Sequence, residues 1–155
     1  MYEPVFRALA SAAEIACRRM TSAQLTALHG RVEEACQLPI AAGWDRKAAA
    51  HADFFRVLAE VGGDPVAAPV LVSGGELAYD LMVTAGRPAD GIVVNSRRRF
   101  LESLRTGDAA GAALELEDHF RILHVMCQLT GRWRIRPFRG QRQLTETSWP
   151  RPWGP

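Results

Sequence analysis

The sequence predicts an all-α fold in the form of an antiparallel bundle of about six helices. Apolar residues recur at steps of three and four residues in successive segments, which is the helical period, and no segment alternates as a strand does. Glycine, proline and short polar residues lie between these segments, at positions that begin and end helices. The chain has 155 residues, of which 48% are hydrophobic and 23% charged, as expected for one soluble domain with a single core.

The first helix is predicted over residues 3–19, where Val5 and Leu9 open an apolar stripe with the helical spacing. Thr21 or Ser22 offers an N-cap for the second helix, because a short hydroxyl side chain accepts a hydrogen bond from a free backbone N–H of the first turn. The stripe of this second helix runs up to Pro39, which stops it.

The third helix is predicted over residues 45–61, an alanine-rich segment that ends at Gly62 and Gly63. Asp64 followed by Pro65 indicates an N-cap with proline at the first helical position, which opens a fourth helix toward residue 82. We expect this fourth helix to be interrupted or loosened around residues 73–75, where a serine precedes two glycines.

The fifth helix follows the connection AGRPADG, and Val94, Arg97, Leu101 and Leu104 step along it by three, four and three residues. Gly107 and Asp108 then close this helix and cap the next. The sixth helix is predicted from about residue 109 to residue 129, with an inward stripe that includes His119. The organisation is therefore a domain over residues 1–130 and a tail over residues 131–155.

The tail is rich in arginine, tryptophan and proline and has no sustained period. Eighteen of the nineteen basic residues of the chain are arginine, and six of them fall in the last two dozen positions. A net charge of +2 is too small to predict nucleic-acid binding by itself. The tail either makes an electrostatic contact with nucleic acid or an acidic partner, or is a solvated arm that packs its tryptophans on a second subunit. The second interpretation is favoured.

The rest of the composition points to a cytoplasmic protein with no membrane contact. No apolar run reaches the length of a membrane span, and the opening segment carries Glu3 and Glu14 where a signal peptide has no acidic residues. Cys17, Cys36 and Cys127 fit neither a disulfide framework nor the spacing of zinc ligands, so we expect buried thiols.

Three polar residues lie on apolar stripes and are the candidates for chemistry. His51 lies one helical turn before Phe55, Arg97 lies between Val94 and Leu101, and His119 lies on the sixth stripe. A single inward histidine is most simply a core residue bonded to a carbonyl. An inward arginine needs an anion, which comes either from a carboxylate of the same bundle or from a ligand.

Three motifs resemble the FCD domain, the C-terminal ligand-sensing domain of FadR-type GntR transcriptional regulators. The segment MYEPVFRALASAAEIACRRMTSAQLTAL is similar to the opening helix of that family, HADFFRVLAEVGGDP to its third-helix motif, and RRRFLESLRTGDAAGAALELEDHF to its junction between the last helices. Their order and spacing carry the resemblance, above all Gly107-Asp108 with His119 eleven residues after the aspartate.

The resemblance implies a ligand site made of His51, Phe55, Arg97 and His119. In the family, an aspartate and three histidines at these positions hold a divalent metal that helps to bind a small organic acid. Only His119 keeps the family's residue type. Phe55 cannot coordinate a metal and Arg97 brings a permanent cation, so we expect no metal and no cofactor. The expected ligand is a small organic acid, whose carboxylate Arg97 would bind in place of the metal.

The resemblance also implies a homodimer that binds DNA only through a winged-helix module, and the sequence starts at the sensor domain without that module. Two other classes of function stay open. A small helical enzyme would use Arg97 to bind a carboxylate substrate, although no nucleophile and base or paired carboxylates support it. An interaction-only protein would have a pocket filled by Phe6, Phe54 and Phe55. A cavity lined by His51, Arg97 and His119 would favour sensing.

Overall fold

A computed structural model describes residues 2–133 and places six α-helices there. The helices are α1 (Glu3–Arg18), α2 (Ser22–Gln37), α3 (Trp44–Gly62), α4 (Ala67–Ala85), α5 (Asp90–Arg105) and α6 (Ala109–Thr130). Short 3₁₀ turns at Ile40–Ala42 and Arg87–Ala89 lie in the two longer connections. No helix of the described part has the length and hydropathy that a bilayer crossing requires. The all-α prediction and the number of helices are confirmed.

Side-chain caps fix the starts of three helices. Thr21 Oγ1 accepts a hydrogen bond from the Gln24 N–H at 3.2 Å, and the Thr21 N–H donates to Gln24 Oε1 at 2.8 Å, which forms a capping box at α2. Asp64 Oδ1 accepts from the N–H groups of Val66 and Ala67, both at 2.9 Å, ahead of α4. Asp108 Oδ1 accepts from the backbone of the first turn of α6 at 2.8 Å. These aspartates and this threonine were predicted from the sequence as caps.

Glycines in the left-handed region end three helices. Gly63 after α3, Gly107 after α5 and Gly131 after α6 have φ values of 58°, 78° and 67°. A side chain with a Cβ disfavours this conformation, so glycine is the residue that closes a helix there without strain. The predicted ends of α3, α5 and α6 are therefore confirmed.

The helix α4 is continuous, so the predicted interruption at residues 73–75 is wrong. Gly74 and Gly75 face neighbouring helices, where a Cβ on Gly74 would lie 2.4 Å from Leu9 Cδ2 and a Cβ on Gly75 would lie 3.2 Å from the Ala52 carbonyl oxygen. The two glycines allow α4 to approach α1 and α3 closely. Packing, rather than a break in the chain, explains them.

Cross-helix contacts establish the antiparallel arrangement. Trp44 Nε1, at the start of α3, donates a hydrogen bond of 2.8 Å to the Met82 carbonyl near the end of α4. The rings of Phe6 and Phe120 stack at 5.5 Å, and Glu3 pairs with Arg121 at 2.9 Å, so that α1 runs opposite to α6. Lys47 near the start of α3 contacts Cys36 near the end of α2, and Asp53 later in α3 pairs with Arg31 earlier in α2, so α2 runs opposite to α3.

The core is one continuous cluster to which all six helices contribute. Its largest fully buried apolar side chains are Phe6, Phe55, Phe100, Phe120, Leu9, Leu28, Leu58, Leu71, Leu81, Met82 and Leu116. The three cysteines are free and buried, as predicted. Burial raises the pKa of the Cys17 thiol to about 12, and Cys127 Sγ donates to the Leu81 carbonyl. These thiols are packing residues.

Of the predicted tail, only residues 131–133 are described. Trp133 lies beside Tyr2 and His124, with ring centroids 6.2 and 6.4 Å apart. The remaining tail, with five of its six arginines, lies outside the described residues. The proposed division at residue 130 and the function of the arginines stay predictions.

Candidate functional site

Three helices aim a polar residue at the same part of the interior. Arg97 on α5, His51 on α3 and His119 on α6 are each only 1% exposed. Each belongs to an otherwise apolar stripe, which is why the helix turns it inward with its neighbours. Burial of large polar side chains is expensive unless they are partnered, so their contacts decide what the site does.

The guanidinium of Arg97 has aromatic neighbours and one hydrogen bond. Its Cζ lies 4.5 Å from the centroid of the Phe54 ring and 5.3 Å from that of Phe55. Its Nη2 donates to the His51 carbonyl oxygen at 3.3 Å. Its Nε and Nη1 have no hydrogen-bond partner within residues 2–133, and no carboxylate of that part forms an ion pair with it. Burial lowers the pKa of Arg97 to about 10, so the group remains charged at neutral pH.

Both histidines are neutral at physiological pH. Burial, and then the positive charges of Arg97 and Lys47, lower the pKa of His51 to about 3. Burial and the charge of Arg97 also hold the pKa of His119 well below its usual range. None of the four ring nitrogens has a hydrogen-bond partner among the described residues. This part of the interior therefore contains one uncompensated positive charge, on Arg97, and two imidazoles whose ring nitrogens have no partner among the described residues.

A cavity of about 270 Å³ between α2, α3 and α5 reaches this group. It is lined by Arg31, Val32, Glu34, Ala35 and Leu38 of α2 and its C-cap, by Arg46, Ala50, His51, Asp53 and Phe54 of α3, and by Arg97 of α5. The volume is close to the lower end of about 300 Å³ for small-molecule sites. The wall therefore combines His51 and Arg97 with five apolar residues and four charged residues of α2 and α3.

The mouth of the cavity carries balanced charges. Arg31 of α2 pairs with Asp53 of α3 across the cleft at 3.7 Å, and Asp53 also pairs with Arg56 at 2.7 Å. Glu34 and Arg46 are exposed on opposite sides of the cleft. Because two cations and two anions line the mouth, the buried Arg97 is the source of net positive charge in the cavity.

A second buried cation, Lys47, has a carboxylate partner within the fold. Lys47 is 4% exposed, and its Nζ lies 2.7 Å from Asp90 Oδ1 and donates to the Cys36 carbonyl oxygen at 3.2 Å. This contact joins the end of α2 to α3 and to the start of α5. Arg97, seven residues after Asp90 on α5, has no such carboxylate in the part of the chain that the structure describes.

The sequence-predicted site residues come together, but the cavity lies elsewhere than expected. We expected it between the third, fifth and sixth helices, with His51, Arg97 and His119 in its wall. His51 and Arg97 line the cavity on the α2 side, whereas Phe55 and His119 lie behind Arg97 and are not among its lining residues. The role of Phe54, and the whole contribution of α2, were missed. Phe54 precedes Phe55 on the same helix, and its position next to an inward arginine required the tertiary structure.

The four positions do not fit a divalent metal. Phe55 offers no donor atom, and the guanidinium of Arg97 repels a cation. No group of three or more histidine, cysteine, aspartate or glutamate residues is placed to share a metal anywhere in residues 2–133. The arrangement is suited to an anion instead, because Arg97 is a desolvated cation that lines the cavity and has no carboxylate partner among residues 2–133.

Comparison with known proteins identifies the family. The FCD domain family matches residues 10–122, which is most of the chain. No curated protein and no solved structure matches the sequence or the fold of this chain. FCD domains are regulatory, all-α domains that are typical of the effector-binding part of GntR-family regulators. The match covers α2, α3, α4 and α5 in full and parts of α1 and α6, together with every residue of the site described above. The chain belongs to the FCD domain family.

Proposed function

We propose that this domain is the effector-binding and dimerisation domain of a GntR-type transcriptional regulator, and that it binds a small organic anion on Arg97 without a metal. The observation that carries the proposal is the buried, charged and uncompensated guanidinium at the edge of a cavity. Leaving an ion buried without a counter-ion costs several kcal/mol even after relaxation. A folded chain tolerates such a group where a ligand supplies the missing charge.

The chemistry of the free donors favours a carboxylate. The unpartnered Nε–H and Nη1–H of Arg97 lie on different edges of the planar guanidinium, and each can donate a charge-assisted hydrogen bond to a carboxylate oxygen. Phe54 lies against the guanidinium and provides apolar surface for the rest of the ligand. Since both histidines are neutral, one carboxylate is enough to neutralise the interior.

The alternative of an interaction-only protein required a filled pocket. Phe54 and Phe55 do pack against Arg97, but the cavity of about 270 Å³ on the α2 side, which has His51 and Arg97 among its lining residues, supports the sensing function. Because FCD is a regulatory family, the proposal assigns the chain no catalytic step. In such regulators a separate winged-helix module contacts DNA, so the assay for this domain is ligand binding.

The test is a thermal-shift screen of aliphatic and aromatic carboxylates, followed by calorimetric titration of each hit. A ligand that binds only the folded state raises its stability by about 2.7 kcal/mol at a hundredfold excess over Kd. We expect Arg97→Met to remove this effect, and we expect Arg105→Met, at an exposed position of the same helix, to keep it. Unchanged affinity in Arg97→Met would refute the proposed site.

The dimerisation half of the proposal is supported by an apolar stripe on α6. Leu114, Ile122, Val125 and Leu129 are 62%, 42%, 53% and 83% exposed and share one face of the helix. A two-fold contact would cover such a face. Light scattering should give about twice the chain mass of 17.1 kDa, and Val125→Glu should lower it. A wild-type protein that stays at 17.1 kDa at all concentrations would contradict this half of the proposal alone.

A further inference from the structure

The arginine-rich tail begins at the end of the bundle where α1 starts. Gly131, with a φ of 67°, ends α6, and the Arg132 N–H donates a hydrogen bond of 3.2 Å to Thr130 Oγ1, so the chain turns back at this point. Trp133 then lies beside Tyr2, the N-cap residue of α1, with ring centroids 6.2 Å apart. The tail therefore leaves the domain next to the residue at which the chain enters α1.

The tail concentrates positive charge on a chain that is otherwise slightly acidic. The 22 residues after Trp133 carry five arginines and one acidic residue, Glu146, whereas the rest of the chain carries fourteen basic and sixteen acidic residues. Arginine binds phosphate oxygens through a planar pair of N–H donors, which lysine does not offer. Phe138 and Trp149 lie between these arginines, and aromatic rings can stack on nucleic-acid bases. This composition fits a phosphate-rich partner.

Contacts at the start of the tail bear on its other use, as an arm that packs on a second subunit. One of its three tryptophans, Trp133, packs against the core of its own chain. Glu3, the first residue of α1, is already paired with Arg121 at 2.9 Å, and Arg121 also pairs with Asp118 at 3.2 Å. These two acidic residues have their counter-ion within the domain, which leaves the tail arginines for an anion outside it.

Resting on the proposed function, we propose that the tail arginines bind DNA phosphates beside the module that reads the DNA. In a GntR-type regulator that module is joined to the chain ahead of α1. Arg134 and Arg136 follow Trp133 by one and three residues, so even an extended chain keeps them within about 11 Å of it. Such contacts carry no sequence information and add affinity that falls as the salt concentration rises.

A weak contact is sufficient at this place. Non-specific binding to DNA has a Kd of about 10⁻⁴ to 10⁻⁶ M at physiological salt. When a neighbouring module already holds the duplex, a short flexible tail meets it at an effective concentration on the order of 10⁻³ M. The tail contact is then formed most of the time, and its loss should weaken DNA binding by the whole regulator about tenfold or more.

The experiment measures binding of the full chain to a fluorescently labelled DNA duplex by anisotropy, at KCl concentrations of about 50 to 200 mM. Each phosphate contact contributes about −0.9 to the slope of log K against the logarithm of the salt concentration, so five arginines predict a slope of up to about −4.5. The double variant Arg134→Gln/Arg136→Gln should bring this slope closer to zero by about 1.8.

Two controls test the charge and the place of the contact. Arg18→Gln/Arg105→Gln removes the same charge at exposed positions of the opposite end of the bundle, and should change the slope by less than about 0.5. For the place, a donor dye is attached at Pro4→Cys or at Thr106→Cys, both exposed and separated by about the 33 Å length of α6. Energy transfer to an acceptor on the duplex should be stronger from position 4.

Each result points to one conclusion. No binding at the lowest salt concentration, equal slopes in the two double variants, or equal energy transfer from the two positions would overturn the inference. A tail variant that lowers the mass measured by light scattering and keeps the slope would assign the arginines to a second copy of the chain, which also overturns it. Arg97→Met should leave the slope unchanged, so a failure of carboxylate binding counts against the proposed function, and a failure of the slope counts against this inference.

Discussion

Replacement of Arg97 by methionine should stabilise the ligand-free domain, which is the opposite of what a structural arginine would do. The substitution removes a hydrogen bond to the His51 carbonyl and the contact with Phe54. A long hydrogen bond of this kind contributes about 1.5 kcal/mol and a desolvated cation–π contact about 2 kcal/mol. The gain is the relief of an uncompensated buried charge, worth several kcal/mol, by an apolar side chain that is about two atoms shorter.

The net gain is about 1 to 3 kcal/mol in the free energy of unfolding, in line with replacements of buried ionic groups by apolar ones. With an unfolding entropy of about 2.1 cal/mol/K per residue over about 130 residues, each kcal/mol shifts Tm by about 3 to 4 °C. Arg97→Met should therefore raise Tm by about 4 to 10 °C. The assay is thermal unfolding by circular dichroism, on protein refolded from urea to remove any anion that was purified with it.

Lys47→Met is the matched control, because it removes a buried cation that has its counter-ion. Asp90 lies 2.7 Å from Lys47 Nζ and would be left without its partner, so this variant should lose about 2 to 4 kcal/mol. Opposite signs for the two variants would confirm that one charge is compensated within the fold and the other is not. A loss of Tm in Arg97→Met as large as in Lys47→Met would refute the reasoning about the ligand.

Three further expectations concern pH, packing and metal content. The pKa of His51 is lowered from 6.5 to about 3 in the folded domain, so the unfolded chain takes up this proton first as the pH falls. Protonation of His51 in the unfolded chain should therefore lower the free energy of unfolding, measured by urea titration, by about 2 kcal/mol between pH 7 and pH 5. His51→Gln should not show this decrease of about 2 kcal/mol. A Cβ on Gly62 would lie 2.7 Å from Ala16 Cβ and 2.9 Å from Ala16 Cα, so Gly62→Ala should lower the free energy of unfolding by about 1 to 3 kcal/mol. Gly30 lies inside α2 with nothing within 4 Å of an added Cβ, so Gly30→Ala should raise the free energy of unfolding by up to about 1 kcal/mol. Equal Tm changes in the two variants would contradict the packing argument. Elemental analysis after dialysis should find no stoichiometric zinc, nickel or manganese, and one metal per chain would mean that other residues than Phe55 and Arg97 occupy the family's ligand positions.

Local rules predicted most of the fold, because helix starts and ends depend on nearby residues. Thr21, Asp64 and Asp108 act through backbone groups within three residues of each, and Gly63 closes α3 through its own φ angle. The continuity of α4 could not be predicted, because the need for a glycine at Gly74 comes from the close approach of α1 and α3, which the sequence of α4 does not show. A glycine pair gives the same sequence signal for a break and for a close contact.

The site shows the same limit. Periodicity placed Arg97, His51 and His119 inward, since each shares a stripe with core residues. Whether a carboxylate of the bundle meets Arg97 depends on which helices surround it, and the sequence left that question open. Periodicity also identifies the buried face of α2 without identifying what that face covers. The cavity between α2 and α3 therefore became visible only in the structure.

The contact between α4 and its neighbours has a mechanical consequence. Because Gly74 and Gly75 let Leu9 and the backbone of Ala52 meet α4 without intervening side chains, α1, α3 and α4 are interlocked and a sliding motion would drive atoms into each other. The opposite wall of the cavity, α2, buries four residues, against nine or ten on each of α1, α3 and α4, and its solvent-exposed ion pairs such as that of Arg31 contribute little. Strain from an occupied cavity should thus be relieved on the side of α2. A fluorescent label on the outer surface of α2 should respond to ligand, while one on the outer surface of α4 should stay silent.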